Sequence, residues 1–147
     1  MYLLSLCIPT YNRADDLEKS LKSICEQPEF NSTEDIEIII SDNNSSDHTE
    51  SVCKYFIELY GERIKYFKNT TNIGDLNFEN VLSKGTGALL KLNNDNLVHN
   101  KNSLARILET IKDNIEKKPV IFFSNGKANS GITEKFNDLD SFLTHIS

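Results

Sequence analysis

Four short polar clusters in this chain carry the side chains most able to do chemistry. Pro9-Thr10-Tyr11-Asn12-Arg13 offers a hydroxyl, a phenol, an amide and a guanidinium within five positions. Asp42-Asn43-Asn44-Ser45-Ser46-Asp47 offers two carboxylates separated by amides and hydroxyls. Asn72-Ile73-Gly74 is a short loop signal, and Asn93-Asn94-Asp95-Asn96 holds one carboxylate among three amides. Each is a dense set of hydrogen-bonding groups, and each follows an apolar run. Taken singly, such residues are ordinary loop chemistry; taken together, they are a candidate ligand site.

The runs that precede them alternate with helical patterns. Residues 2–8 are nearly continuous in apolar character and closed by Pro9, residues 36–40 are rich in isoleucine, and residues 64–67, 88–92 and 119–123 complete five predicted strands. Between them, Leu17, Leu21, Ile24 and Cys25 fall at helical spacing, as do Val52, Phe56 and Tyr60, and Leu104, Ile107, Leu108, Ile111 and Ile115. Residues 76–82 read as a further helix, ended by Gly85 and Gly87. Strand–helix alternation predicts an α/β fold, a mostly parallel sheet with helices on both faces. Right-handed crossovers bring all strand C-termini to one edge, where open α/β sheets bind ligands near a switch in strand order. The four polar clusters all fall at that edge.

The 147 residues suffice for one domain, and no apolar run reaches the length of a membrane span. Cys7, Cys25 and Cys53, odd in number and widely spaced, suggest reduced, structural thiols in a cytoplasmic protein. A net charge of −6 argues against nucleic acid as a partner and means that a phosphorylated ligand needs a metal ion or local donors. His48, His99 and His145 lack metal-ligand spacing and read as surface residues. No Gly-X-Gly-X-X-Gly follows strand 1 and no Walker-type lysine is present, which sets aside dinucleotide and P-loop sites.

The strings Ile8-Pro9-Thr10-Tyr11-Asn12-Arg13, Ile38-Ile39-Ile40-Ser41-Asp42-Asn43-Asn44-Ser45-Ser46-Asp47 and Asn72-Ile73-Gly74, in this order and spacing, resemble the successive signatures of family 2 glycosyltransferases. The resemblance covers residues 2 to about 124 and is nearest to bacterial transferases that build surface polysaccharides. It implies the GT-A (Rossmann-like) fold, truncated relative to the whole, with residues 1–124 as the nucleotide-sugar-binding core. Residues 125–147 would be the start of the acceptor side or a tail. It implies a nucleoside diphosphate sugar donor, UDP- or dTDP-linked, and a glycan or lipid-linked acceptor at the inner face of the membrane, with peripheral membrane association. A face left uncovered by the missing lobe is expected to favour a homodimer.

Residue by residue, the resemblance places Pro9, Thr10, Tyr11 and Arg13 beside the nucleoside and Asp42 on the base. Asn44, Asn72, Gly74 and Asn94 would complete the nucleotide site. Asp95 would hold Mn2+ or Mg2+. The family's Asp-X-Asp-Asp falls on Asn93, Asn94, Asp95 and Asn96, so only one carboxylate remains. Amide oxygens coordinate without charge, and the expectation is weaker metal binding, restored by aspartate at 93 and 96. The catalytic base is unassigned, although Glu134, Asp138 and Asp140 lie in the expected half. Against these readings stand simpler ones: Asp42 and Asp47 as helix caps, Asp95 as a turn residue, Tyr11 as a packed aromatic and Arg13 as a surface charge.

Overall fold

In the computed structural model, which describes residues 2–117, a four-stranded parallel sheet carries the fold. The strands are β1 (Leu4–Thr10), β2 (Ile36–Asp42), β3 (Ile64–Lys68) and β4 (Leu89–Leu92), in the order β3-β2-β1-β4. The connecting helices are α1 (Ala14–Cys25), α2 (Pro28–Ser32), α3 (Thr49–Tyr60), α4 (Leu76–Leu82) and α5 (Ser103–Asn114). The predicted α/β class holds. The fifth predicted strand, the boundary at residue 124 and the tail carboxylates lie outside the described residues.

β1 and β2 are buried along their whole length, as strands covered on both faces must be. Alternation of side chains sends Leu4, Leu6 and Ile8 to one face and Ser5, Cys7 and Pro9 to the other. Cys7 and Ile39 pack under Val81 of α4. Right-handed crossovers put α1 and α3 on the opposite face, where they pack against each other. Their buried stripes, Leu17, Leu21 and Ile24 on α1 and Val52, Cys53 and Phe56 on α3, close the core.

Two local features differ from expectation. α2 is too short for a helical period to show; Pro28 sits in its first turn, where its missing N–H costs nothing, and Phe30 is buried. β2 runs two residues further than its apolar stretch, pairing Thr10 with Asp42. The turn before β4 crosses β1 so closely that a Cβ on Gly87 would stand 2.8 Å from the Ser5 nitrogen, which explains the glycine. That turn is held by Glu37, a fully buried carboxylate that accepts from Ser5 Oγ at 2.6 Å, from the Thr86 amide at 2.6 Å and from Lys65 Nζ at 2.8 Å.

Candidate functional site

The strand order reverses between β1 and β4, because β2 and β3 lie on one side of β1 and β4 on the other. Loops leaving β1 and β4 therefore part at this point and open a crevice. There a cleft of about 290 Å³ is lined by Pro9, Tyr11 and Arg13 from the first loop, Asn43 from the second, Gly74, Asn77 and Phe78 around the start of α4, and Asn94, Asp95 and Asn96 after β4. All four polar clusters meet at one edge.

Across the crevice, Thr10 Oγ1 donates to Asp95 Oδ2 at 3.0 Å. Asp95 is 9% exposed, and desolvation raises its carboxyl above the ordinary range, against the opposing Thr10 bond. Tyr11 is 45% exposed and lines the cleft, so it is not a core aromatic. Arg13 lines it too, with a weak 3.9 Å contact to Asp16. Gly74 adopts a left-handed φ of 58°, and nothing lies within 4 Å of where its Cβ would be. The conformation requires glycine, and the space beside it stays open.

Asp42, Asn44 and Asn72 do not line the cleft. Asp42 is fully buried behind its wall, with Oδ1 accepting from the Ser45 amide at 2.8 Å and Oδ2 from the Tyr66 hydroxyl at 2.6 Å. Burial and the Asp42 carboxylate together push the Tyr66 phenol upward. A base contact at Asp42 has to share a carboxylate already engaged on both oxygens. Asn44 occupies a left-handed corner of its loop, φ 67°. Asn72 Oδ1 accepts from Asn43 Nδ2 at 2.7 Å and from the Gly74 amide at 2.8 Å, and so shapes the loop.

Asn43 belongs to the second polar cluster but was given no role of its own. Its Oδ1 accepts from the Ile73 amide at 2.8 Å, joining the second and third loops, and it lines the cleft. Asn77, which sequence reasoning missed, exchanges hydrogen bonds with Ser41, accepting from Oγ at 2.7 Å and donating to the carbonyl at 2.9 Å. Phe78, 41% exposed in a helix that buries Asn77 and Val81, carried the one readable signal: an aromatic off the core stripe.

Asp47 is a cap. Its Oδ2 accepts from the Ala14 amide at 3.0 Å and its Oδ1 from the Thr49 amide at 3.1 Å, so one side chain starts both α1 and α3. Desolvation works to raise its pKa, but these bonds and the Thr49 hydroxyl outweigh it and hold the carboxyl low. Asn12, at φ 51°, accepts from the Ser46 amide at 2.8 Å and clasps the same two loops.

Asn93 corrects the expectation drawn from the acidic motif. It is 1% exposed and absent from the cleft wall; its Oδ1 accepts from Lys91 Nζ at 3.2 Å and His99 Nε2 lies 2.8 Å away. An aspartate there would meet Lys91, not a metal. His99 is not a free surface residue either: desolvation, then the Lys91 charge, lowers it to about 4. The three cysteines are unpaired and buried, each thiol pushed up to about 12 by desolvation, as structural thiols should be.

A parallel sheet in this order with a polar cleft at its reversal defines a ligand-binding α/β domain of the GT-A kind. The chain belongs to glycosyl transferase family 2, whose family model matches residues 5–134. It is 43% identical over 112 residues to abequosyltransferase RfbV of Salmonella typhimurium, covering 76% of this chain and 33% of that one. Over 66 residues it is 50% identical to the GalNAc(5)-diNAcBac-PP-undecaprenol beta-1,3-glucosyltransferase of Campylobacter jejuni, covering 45% of this chain and 20% of that one. Among solved structures, TarS 1-349 of S. aureus in complex with UDP matches with a TM-score of 0.63 and 25% identity, over 77% of this chain and 32% of that one. The mannosyltransferase PcManGT of Pyrobaculum calidifontis, in complex with GDP-Man and Mn2+, matches at 0.65 and 21% identity, over 74% and 32%, and shares the fold. The chain spans about a third of the length of RfbV and of these two structures.

Proposed function

We propose that this chain is the donor-binding portion of a glycosyltransferase that moves a sugar from a nucleoside diphosphate, UDP- or dTDP-linked, to a glycan or lipid-linked acceptor in surface-polysaccharide assembly. The carrying observation is the Thr10–Asp95 hydrogen bond at the strand-order reversal, which fixes a carboxylate at the cleft where four loops converge. Support for UDP comes from the TarS complex, and support for a lipid-linked acceptor from the undecaprenol-linked substrate in the name of the Campylobacter relative. A lipid-linked acceptor suits a reaction at the inner face of a membrane; no described helix is long and apolar enough to cross one.

The donor set suits a hard cation. Asp95 supplies a carboxylate, Asn94 and Asn96 flank it in the cleft wall, and diphosphate oxygens would complete the shell, as Mg2+ and Mn2+ sites commonly require. A divalent ion held by these residues would supply the charge that offsets the diphosphate as it leaves. The chain's own residues do the positioning. The exposed Tyr11 ring offers a face to the nucleoside, the Arg13 guanidinium offsets negative charge at the rim, and the open backbone at Gly74 lets a phosphate or ribose approach. Thr10 orients Asp95. Proton removal from the acceptor hydroxyl belongs to a carboxylate not assigned among the described residues.

A second reading is a nucleotide-binding module without catalysis, favoured by one fact: of the residues lining the cleft, Asp95 alone carries a carboxylate. A crystal soaked with UDP and Mn2+ separates the two. Metal density on Asp95 bridging to phosphate supports the transferase; nucleotide density without metal supports the module.

A further inference from the structure

A partly buried polar chain runs behind the candidate metal loop, and none of its members lines the cleft. Lys91 Nζ lies 3.2 Å from Asn93 Oδ1, and His99 Nε2 lies 2.8 Å from the same oxygen. His99 Nδ1 lies 3.1 Å from Ser103 Oγ, and the Gln27 Nε2 amide lies 3.3 Å beyond it. Gln27 Oε1 accepts from the Leu104 amide at 3.0 Å, and the His99 amide donates to Ser23 Oγ at 2.9 Å. Through these bonds the residues after β4 are tied to the end of α1 and the start of α5.

The donor and acceptor logic runs one way. An ammonium only donates, so the Asn93 atom it meets is the carbonyl oxygen. An oxygen only accepts, so His99 Nε2 must carry the proton. Nδ1 is then an acceptor and takes the Ser103 hydroxyl proton, leaving a Ser103 lone pair for the Gln27 amide. Every group has a partner in this arrangement; the Ser103 hydroxyl also lies 3.4 Å from Gln27 Oε1, a second acceptor for its proton. Nδ1 accepting from Ser103 goes with a neutral ring, in keeping with the lowered pKa that burial and Lys91 impose.

We propose that His99 is a positioning residue for the metal loop: its Nε2–H, donated to Asn93 Oδ1, fixes residues 93–96 so that the Asp95 carboxylate faces Thr10. The first position of the acidic motif is then an anchor, and the Asn93 amide oxygen accepts from the ring without adding charge beside it. An aspartate at this position would pair with Lys91 and draw a second proton onto His99. The benefit to ligand binding rests on the donor-site reading; the anchoring itself does not.

The test uses the 147-residue chain in three measurements. Long-range 15N–1H spectra of the wild type are expected to show the Nε2–H tautomer for His99; the Nδ1–H tautomer overturns the proposal without any mutation. In His99→Phe, the amide resonances of Thr10 and residues 94–96 should move, and UDP affinity in Mn2+ should fall about 10-fold or more, as losses behind metal ligands typically do. His99→Gln, which keeps an N–H donor, should recover part of that loss. Thr10 and residues 94–96 unmoved in folded His99→Phe overturn the proposal. If the amides move but wild type binds no UDP, the anchoring stands and the donor-site reading fails.

Discussion

Thr10 and Asp95 lie 85 positions apart in sequence, yet their side chains meet at 3.0 Å where the sheet reverses its strand order. β1 ends at Thr10, and the loop after β4 turns back across the crevice with Asp95. The bond ties the end of β1 to the cleft-lining carboxylate after β4.

Removing that donor should cost both stability and binding. Thr10→Val keeps the shape but leaves a mostly buried carboxylate oxygen short of one partner, worth about 1–3 kcal/mol. The urea midpoint should fall, and the Mn2+-dependent affinity for UDP with it. A variant with unchanged binding would show that Thr10 does not orient the carboxylate.

Asp95 should carry a stability cost in the absence of ligand. Its folded pKa is raised by desolvation, so its contribution favours the fold below the unfolded value near 4 and is lost as pH rises through the folded value. Asp95→Asn is therefore expected to melt at or above wild type at pH 7 without metal, with the gap closing toward pH 4. Wild type melting well above the variant at pH 7 without metal would contradict this.

The two lost acids of the motif should behave differently. Asn96 lines the cleft, so Asn96→Asp adds a second carboxylate beside Asp95 and should tighten Mn2+ several-fold. Asn93→Asp instead raises the pKa of His99 and should give the smaller gain, because position 93 faces Lys91 and His99. Metal titration of both variants ranks them directly.

Asp47 should matter to the fold more than to the ligand. Asp47→Ala removes the cap of two helices, each worth about 1 kcal/mol at such exposed sites. Its folded pKa is depressed, so this stability is present above about pH 4 and lost as pH falls through the folded value. The difference between wild type and variant in thermal melts should shrink below pH 4.

The strands and the edge they share were legible because isoleucine-rich runs and helical stripes leave few alternatives, and loop placement follows from topology. Tyr11 and Gly74, which line the cleft, could be placed at that edge for the same reason. The burial of Asp42 was not legible, because its two partners, Ser45 and Tyr66, come from a loop turn and from the register of β3, neither of which a pattern reveals. Asn93 misled for a similar reason. The motif aligns it with acids, but only the packing of His99 behind β4 shows which way its side chain turns.

The most direct test is thermal melting of wild type and Asp95→Asn with UDP, in Mn2+ and in chelator. At a nucleotide concentration about 100 times Kd, wild type in Mn2+ should gain roughly 5–10 °C. Chelator or Asp95→Asn should remove most of that gain. An equal gain in all four conditions, or none in any, would contradict a metal-assisted donor site at Asp95.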